Sequence, residues 1–143
     1  MQSEVTSIIK TDEEGFSFCE LRQCRVRLLE RGIVENHFFD NALIEVDDIR
    51  DARGVNEQFC PDIKYAILLN MGNNVLISDE ARALSASEEF GRHVCGRALL
   101  VPDAISKMIA ELYRHQSNPV APTRVFSDRE KAIRWLREQL AST

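Results

Sequence analysis

His37, His93 and His115 are the three histidines of this chain, and Cys19, Cys24, Cys60 and Cys95 its four cysteines. A Cys–His pair becomes a nucleophile only where the imidazole is held against a thiolate. His93 and Cys95 stand closest, two apart, but at the end of an expected helix they face different directions. His37 falls within an expected strand, where a histidine is usually a surface or cross-strand residue. No two histidines have metal-ligand spacing, and no Cys-x-x-Cys pair supplies a zinc ribbon or a thioredoxin motif. The cysteines read as free, buried thiols of a reducing compartment. Asp47-Asp48 and Glu88-Glu89 are adjacent on helices, so each pair splays around its axis and cannot share a proton; they read as solvated faces. No enzyme, metal or cofactor is expected from these residues.

The remaining chemistry lies in "LLNMGNNVLISDEAR", residues 68–82. Met71-Gly72-Asn73-Asn74 is a turn with one glycine, not a glycine-rich phosphate loop. It lies where a central strand ends and the chain heads for a helix N-terminus, the usual place for ligands in open α/β sheets. Free N–H groups there favour an anion. Ser78 reads as the N-cap of the next helix, with Asp79 and Glu80 in its first turn. Asn118-Pro119-Val120-Ala121-Pro122 has P-x-x-P spacing, and a rigid turn before a strand accounts for it.

These residues are positioned by an alternation of elements. Phe16–Cys19 begins a short strand, and "RVRLLERGIVENHFF" forms a hairpin around Glu30-Arg31-Gly32, with Arg25 and Arg27 on one solvent face. A first helix spans 45–59, with Gly54 as a candidate early end. "YAILLNM" is a central strand, apolar on both faces. The helix after Ser78 carries Ala81, Leu84, Phe90 and Val94 and bends at Gly91. "RALLV" is the next strand, and Asp103 caps a helix with Ile105, Met108, Ile109, Leu112 and Tyr113 on one stripe. "TRVF" is the last strand, and Ser127-x-x-Glu130 forms a capping box before a final helix. Hairpin, then helix and strand in turn, predicts one α/β domain over 1–143, with a mixed, mostly parallel sheet and about four helices. Residues 1–15 read as a mobile lead-in.

Composition narrows the class further. The chain has 143 residues, 44% apolar and 29% charged, with net charge −5. Phosphate contacts need clustered Lys and Arg, so nucleic acid is not the expected partner. No run reaches the ~18 apolar residues of a membrane span, and Met1-Gln2-Ser3-Glu4 does not open a signal peptide. A cytoplasmic location is expected.

The order of elements, with "ISDEAR" (77–82), "ALLVPDAISKMI" (98–109) and "NPVAPTRVFSDREKAIRWL" (118–136), resembles the STAS-like (anti-sigma-factor-antagonist-like, SEC14-related) bacterial proteins. The likeness covers roughly residues 25–140 and carries no catalytic motif. In anti-sigma antagonists a serine or threonine at the start of the second helix is phosphorylated, and the added charge disrupts docking. The matching region here is Asn74–Ser78. The family's Asp-Ser-Ser-Gly-like signature is absent, since this chain has "GNNVLISDE". The resemblance implies a non-enzymatic regulatory module that binds an unidentified protein partner, with Asn73, Asn74, Ser78 and Asp79 as its partner-binding or switch residues. The alternative is a binder of a small apolar or lipid-like ligand, in a cavity between sheet and helices lined by Met108, Leu112 and Phe90. Apolar helix flanks such as Trp135 and Tyr113 make a homo-oligomer an expectation as well.

Overall fold

The computed structural model describes residues 8–61 and 63–143, without the side chains of Tyr113, Gln116 and Ser117. Residues 1–7 of the expected lead-in, and the expected flank residue Tyr113, therefore lie outside the described set. Residues 10–15 of the lead-in form a short strand and turn at the edge of the sheet. The Asp12 carboxylate accepts from the Glu14 and Phe16 amides, and Gly15 turns with φ +88°, folding strand β1 (Lys10–Thr11) back on β2 (Ser17–Glu20). β3 (Cys24–Glu30) and β4 (Ile33–Phe38) form the expected hairpin, and Gly32 supplies φ +85° at its turn.

Helix α1 (Val46–Phe59) runs through Gly54, because Val55 and Asn56 just beyond it are buried and hold the last turn on the sheet. β6 (Tyr65–Met71) is the central strand. Before it, β5 (Leu43–Ile44), and after it, β7 (Leu76–Ile77), pair in parallel as a two-stranded sheet of their own. Two residues per strand carry no periodicity, so this pair had no sequence signal.

The next helix is shorter than its stripe implied. α2 (Asp79–Ala86) ends where Ser87 adopts extended backbone (ψ 163°), and the Ser87 hydroxyl caps a separate turn, α3 (Glu88–Gly91). The break is at Ser87, not Gly91. Val94 therefore opens β8 (Val94–Leu100), which starts earlier than "RALLV" implied. α4 (Ala104–Ser117) follows with Asp103 as cap, its carboxylate accepting from the Ser106 amide. β9 (Thr123–Phe126) leads to α5 (Arg129–Ala141). Asp128 caps α5 in place of Ser127, accepting from the Lys131 amide as the expected capping box would one residue earlier. The break at Ser87 makes the helices five among the described residues.

The main sheet has the order β1-β2-β3-β4-β6-β8-β9, antiparallel through β4 and parallel thereafter. Each parallel crossover steps one strand in the same direction, so the chirality of crossovers sends α1, α2–α3 and α4 to one face. α5 returns over the other face. Ile33, Ala66, Leu68, Ala98, Ala132 and Leu136 form the core beneath it, and Val26, Phe38, Ile44, Ala52, Val55 and Ala81 pack on the α1–α2 side. Trp135 is half-buried in that α5 layer against Phe126, at 5.8 Å between ring centres, which leaves it a packing residue.

The α5 face also holds an ionic knot. Glu35, on β4, is 3% exposed and accepts from both Nη atoms of Arg129 at 2.8 and 2.9 Å, from Arg27 at 3.1 Å and from the Asn70 amide at 2.8 Å. Arg27 continues to Asp12 and Glu14. Arg27 thus belongs to this network and not to the solvent face read for it.

Candidate functional site

β4 and β6 are adjacent parallel strands, and the loops after them, residues 39–42 and 72–75, interlock at their carboxyl ends. Gly72 permits this. A Cβ there would lie 2.7 Å from the Phe38 carbonyl oxygen and 2.9 Å from the Asp40 nitrogen. With the chains so close, the Gly72 N–H donates to the Phe38 carbonyl, Asn73 N–H to the Asp40 carboxylate and Asn41 N–H to the Asn73 carbonyl. Asn41 and Asn74 both take left-handed backbone, φ 63° and 57°, which asparagine tolerates, and the Asn74 amide reaches Asn41 Oδ1 at 3.3 Å. The N–H of Asn73, expected to favour an anion, is thus met by a carboxylate of the neighbouring loop.

The link continues to the next element. The Ser78 amide donates to the Ile44 carbonyl at 3.0 Å, and its Oγ accepts from the Ala81 amide at 3.1 Å. Ser78 is therefore the N-cap of α2, half-buried, while Asn73, Asn74 and Asp79 are exposed beside it. Asp79 pairs with Arg82 one turn along at 2.7 Å. The four expected residues do sit together at the carboxyl edge of the sheet. Ser78→Ala is expected to lower stability by about 1 kcal/mol, the usual worth of such a cap. The urea midpoint would show it, and Ser78→Asp, which keeps an acceptor, should avoid most of the loss.

The reactive side chains are scattered. His37 is exposed on β4 with Phe39 at its edge, 6.1 Å between centres, and His93 and His115 are exposed elsewhere. Cys95 is buried under α5, apart from the surface of His93, and burial raises its thiol pKa, the wrong direction for a nucleophile. Burial, with Asp48 nearby, pushes Cys24 up to about 12. Asp48 departs from its expected solvated face: it is buried, accepts from the Glu45 amide and takes a forked pair from Arg22. Among the described residues no three of His, Cys, Asp or Glu gather as metal ligands would.

Two surfaces stand out instead. On α4 the amphipathic stripe faces outward. Ile105, Met108, Ile109 and Leu112 are 51–72% exposed, while Ala110 is the residue it buries. The expected cavity lining by Met108 and Leu112 is thereby corrected, because both point to solvent. Helical periodicity reveals which residues share a face but not which way that face turns. On the small second sheet, Leu43 and Leu76 lie opposite one another, 49% and 66% exposed. Both α2 and α4 begin at the carboxyl edge of the parallel strands, and the two helices touch.

A cavity does exist between the sheet and α1–α3, and Phe90 lines it as expected. Its volume is about 40 Å³, well short of the ~300 Å³ at which ligand pockets begin. An acyl chain does not fit. Its walls are partly polar, with Asn36, Asn56, Tyr65, Ser85 and Arg97 on them. Arg97 was missed in the sequence, although a charged residue inside the apolar run "VCGRALL" was the available signal.

Together these features define an α/β protein whose mixed sheet, parallel from β4 onward, is covered on both faces and offers its loops and outward apolar residues at one edge. The chain belongs to the family described as Domain of unknown function (DUF7793), which matches residues 28–140. Among solved structures it is similar to an uncharacterised protein of the DUF3478 family from Shewanella loihica PV-4, with a SpoIIAA-like (STAS-like) fold. The two are 12% identical over 95% of this chain and 99% of that one, with a TM-score of 0.47. No curated protein matches the chain. No helix among the described residues is long and apolar enough to cross a membrane.

Proposed function

We propose that the protein is a non-enzymatic recognition module that docks a partner protein on the α4 stripe and the Leu43–Leu76 pair, with Ser78 as its switch position. The outward stripe of α4 carries this reading. Four large aliphatic side chains in water are unfavourable unless another apolar surface covers them, at about 25 cal/mol per Å² removed from water. Asp79 and Glu80, exposed after Leu76, and the net charge of −5 favour a partner whose apolar centre is rimmed by basic groups, and disfavour an anionic bilayer. A phosphate on Ser78 would add about two negative charges beside those acids, at the capped start of α2, so docking to the basic rim would strengthen.

The test is comparative. Wild type and Met108→Glu/Leu112→Glu are used as bait in the same host lysate at low and high salt. Both altered side chains are in solvent, so the fold should persist, as circular dichroism would verify. The expected result is a protein retained in stoichiometric amount by wild type, lost by the variant, weakened by salt and strengthened by Ser78→Asp. Equal retention by wild type and variant would defeat the proposal. Self-association of wild type in sedimentation, abolished in the variant, would replace the partner with a second copy.

A further inference from the structure

Arg97 is the only buried cation among the described residues, 6% exposed, on the face of β8 that α1–α3 cover. Its Nη1 donates to Ser85 Oγ at 2.9 Å, and its Nε and Nη2 have no hydrogen-bond partner and are closed to water. These two nitrogens share one edge of the guanidinium, the edge that takes two oxygens of one anion side by side. Elsewhere in this chain that edge is used in this way: Arg22 presents it to Asp48 and Arg137 presents it to Glu30. Arg97 has no such carboxylate, because the buried acids Glu35 and Asp48 are already taken by Arg27, Arg129 and Arg22.

A buried charge normally has a counter-charge. Burial lowers the Arg97 pKa to about 10, still high enough for it to remain a cation at neutral pH. The cavity that Arg97 lines supplies space for the missing partner. Its 40 Å³ takes about three water-sized groups. The other groups on its wall are donors or already neutralised. Asn36 and Asn56 bond each other through one amide N–H each (2.8 and 3.2 Å), which leaves the second N–H of each amide unspent by that pair. Tyr65 is held as the neutral phenol, burial and Glu57 pushing it up to about 12. Arg53 also reaches the cavity, but Glu57 at 3.1 Å and Glu89 at 3.4 Å meet its charge. One uncompensated positive charge therefore remains.

We propose that this cavity binds a small planar monoanion of about three or four heavy atoms, of the carboxylate or nitrate class, held by the Nε–H and Nη2–H edge of Arg97. Because that edge is closed to water, binding begins with a swing of the guanidinium into the cavity, and Ser85, near the end of the short helix α2, yields its bond to Nη1. The site is separate from the docking face proposed above. Its size sets its specificity: formate, nitrate or bicarbonate fit, whereas phosphate and benzoate exceed it.

The test uses the full chain labelled with ¹⁵N at constant ionic strength. Sodium formate and sodium nitrate are titrated while the Arg97 Nε–H resonance and the melting temperature are followed. A saturable shift of Nε–H with a rise in melting temperature is expected, and phosphate and benzoate should produce neither. In Arg97→Met the response should fall about ten- to a hundred-fold, the worth of a charge-assisted pair. That variant removes a buried unpaired charge, so it should fold. Should it fail to, the wild-type Nε–H titration decides alone. No saturable change of Nε–H, an equal response in Arg97→Met, or an equal response to benzoate would each overturn the proposal.

Discussion

Replacing Glu35 with alanine is expected to cost about 3–5 kcal/mol, the loss that follows when one member of a buried ion pair is removed and its partners stay behind. The geometry explains why this position exceeds the exposed pairs. Arg129 opens α5, Arg27 lies on β3, Asn70 ends β6, and all three converge on a carboxylate 3% exposed. One residue therefore fastens a helix, two strands and, through Arg27, the Asp12 turn. Burial by itself would raise the carboxyl pKa; the hydrogen bonds from Arg129 and Asn70, with the charges of Arg129 and Arg27, reverse this and hold it at about 2 against an ordinary 4.5. The sign follows from linkage. A depressed pKa contributes stability that is complete above about pH 4.5 and lost as pH falls toward 2, roughly 3 kcal/mol in all. Urea unfolding at pH 7 and pH 3 tests this. Wild type should lose much of its stability between them, and Glu35→Ala should lose much less. A variant with wild-type stability at pH 7, or an unchanged acid limb, would show that the knot contributes nothing.

What the sequence disclosed depended on the kind of signal. The β3–β4 hairpin was legible because Gly32 punctuates two apolar runs, and β6 because seven successive residues suit a doubly covered strand. The caps at Ser78 and Asp103 were legible because an N-cap is a local interaction between neighbours in the chain. Elements specified by distant residues were not. Nothing local marks Leu43–Ile44 or Leu76–Ile77 as strands, since each exists by pairing with the other across 33 residues. The α2 stripe ran on into Val94 because Phe90 and Val94 keep helical spacing, yet an extended Ser87 interrupts it. The orientation of α4 was hidden for the same reason. An apolar stripe is expected to face the core, and only the position of Ala110 against Val101 and Val125 reveals that this one faces water. The ion pairs escaped entirely, as Glu35 and Arg129 are 94 residues apart.

Gly72→Ala is the second large effect, and it concerns the site itself. The glycine is required by proximity. Its φ is ordinary, but a methyl group would meet the Phe38 carbonyl oxygen and Asp40 Oδ1 at 2.7 Å and the Asp40 nitrogen at 2.9 Å. Asp40 Oδ1 can rotate away only by releasing the Asn73 amide, and the other two contacts are backbone. The two loops must therefore separate, at about 1–3 kcal/mol for an overpacked site. The strain passes outward along the backbone hydrogen bonds from Asn41 to Asn73, from Leu76 to Ala42 and from Ser78 to Ile44, so the cap of α2 shifts with it. Amide exchange at Leu76 and Ser78 should accelerate while α5 stays protected. Gly54→Ala is the matched control. A Cβ there meets nothing within 4 Å and lies in a helix, so it should stabilise by roughly 0.5–1 kcal/mol. Opposite signs from the same chemical change would show that the close approach of the two loops, rather than glycine content, holds Asn73, Asn74 and Ser78 in place. If Gly72→Ala were neutral with unchanged exchange at Ser78, the loops would be too compliant to present a fixed surface, and a recognition role for this edge would fail with them.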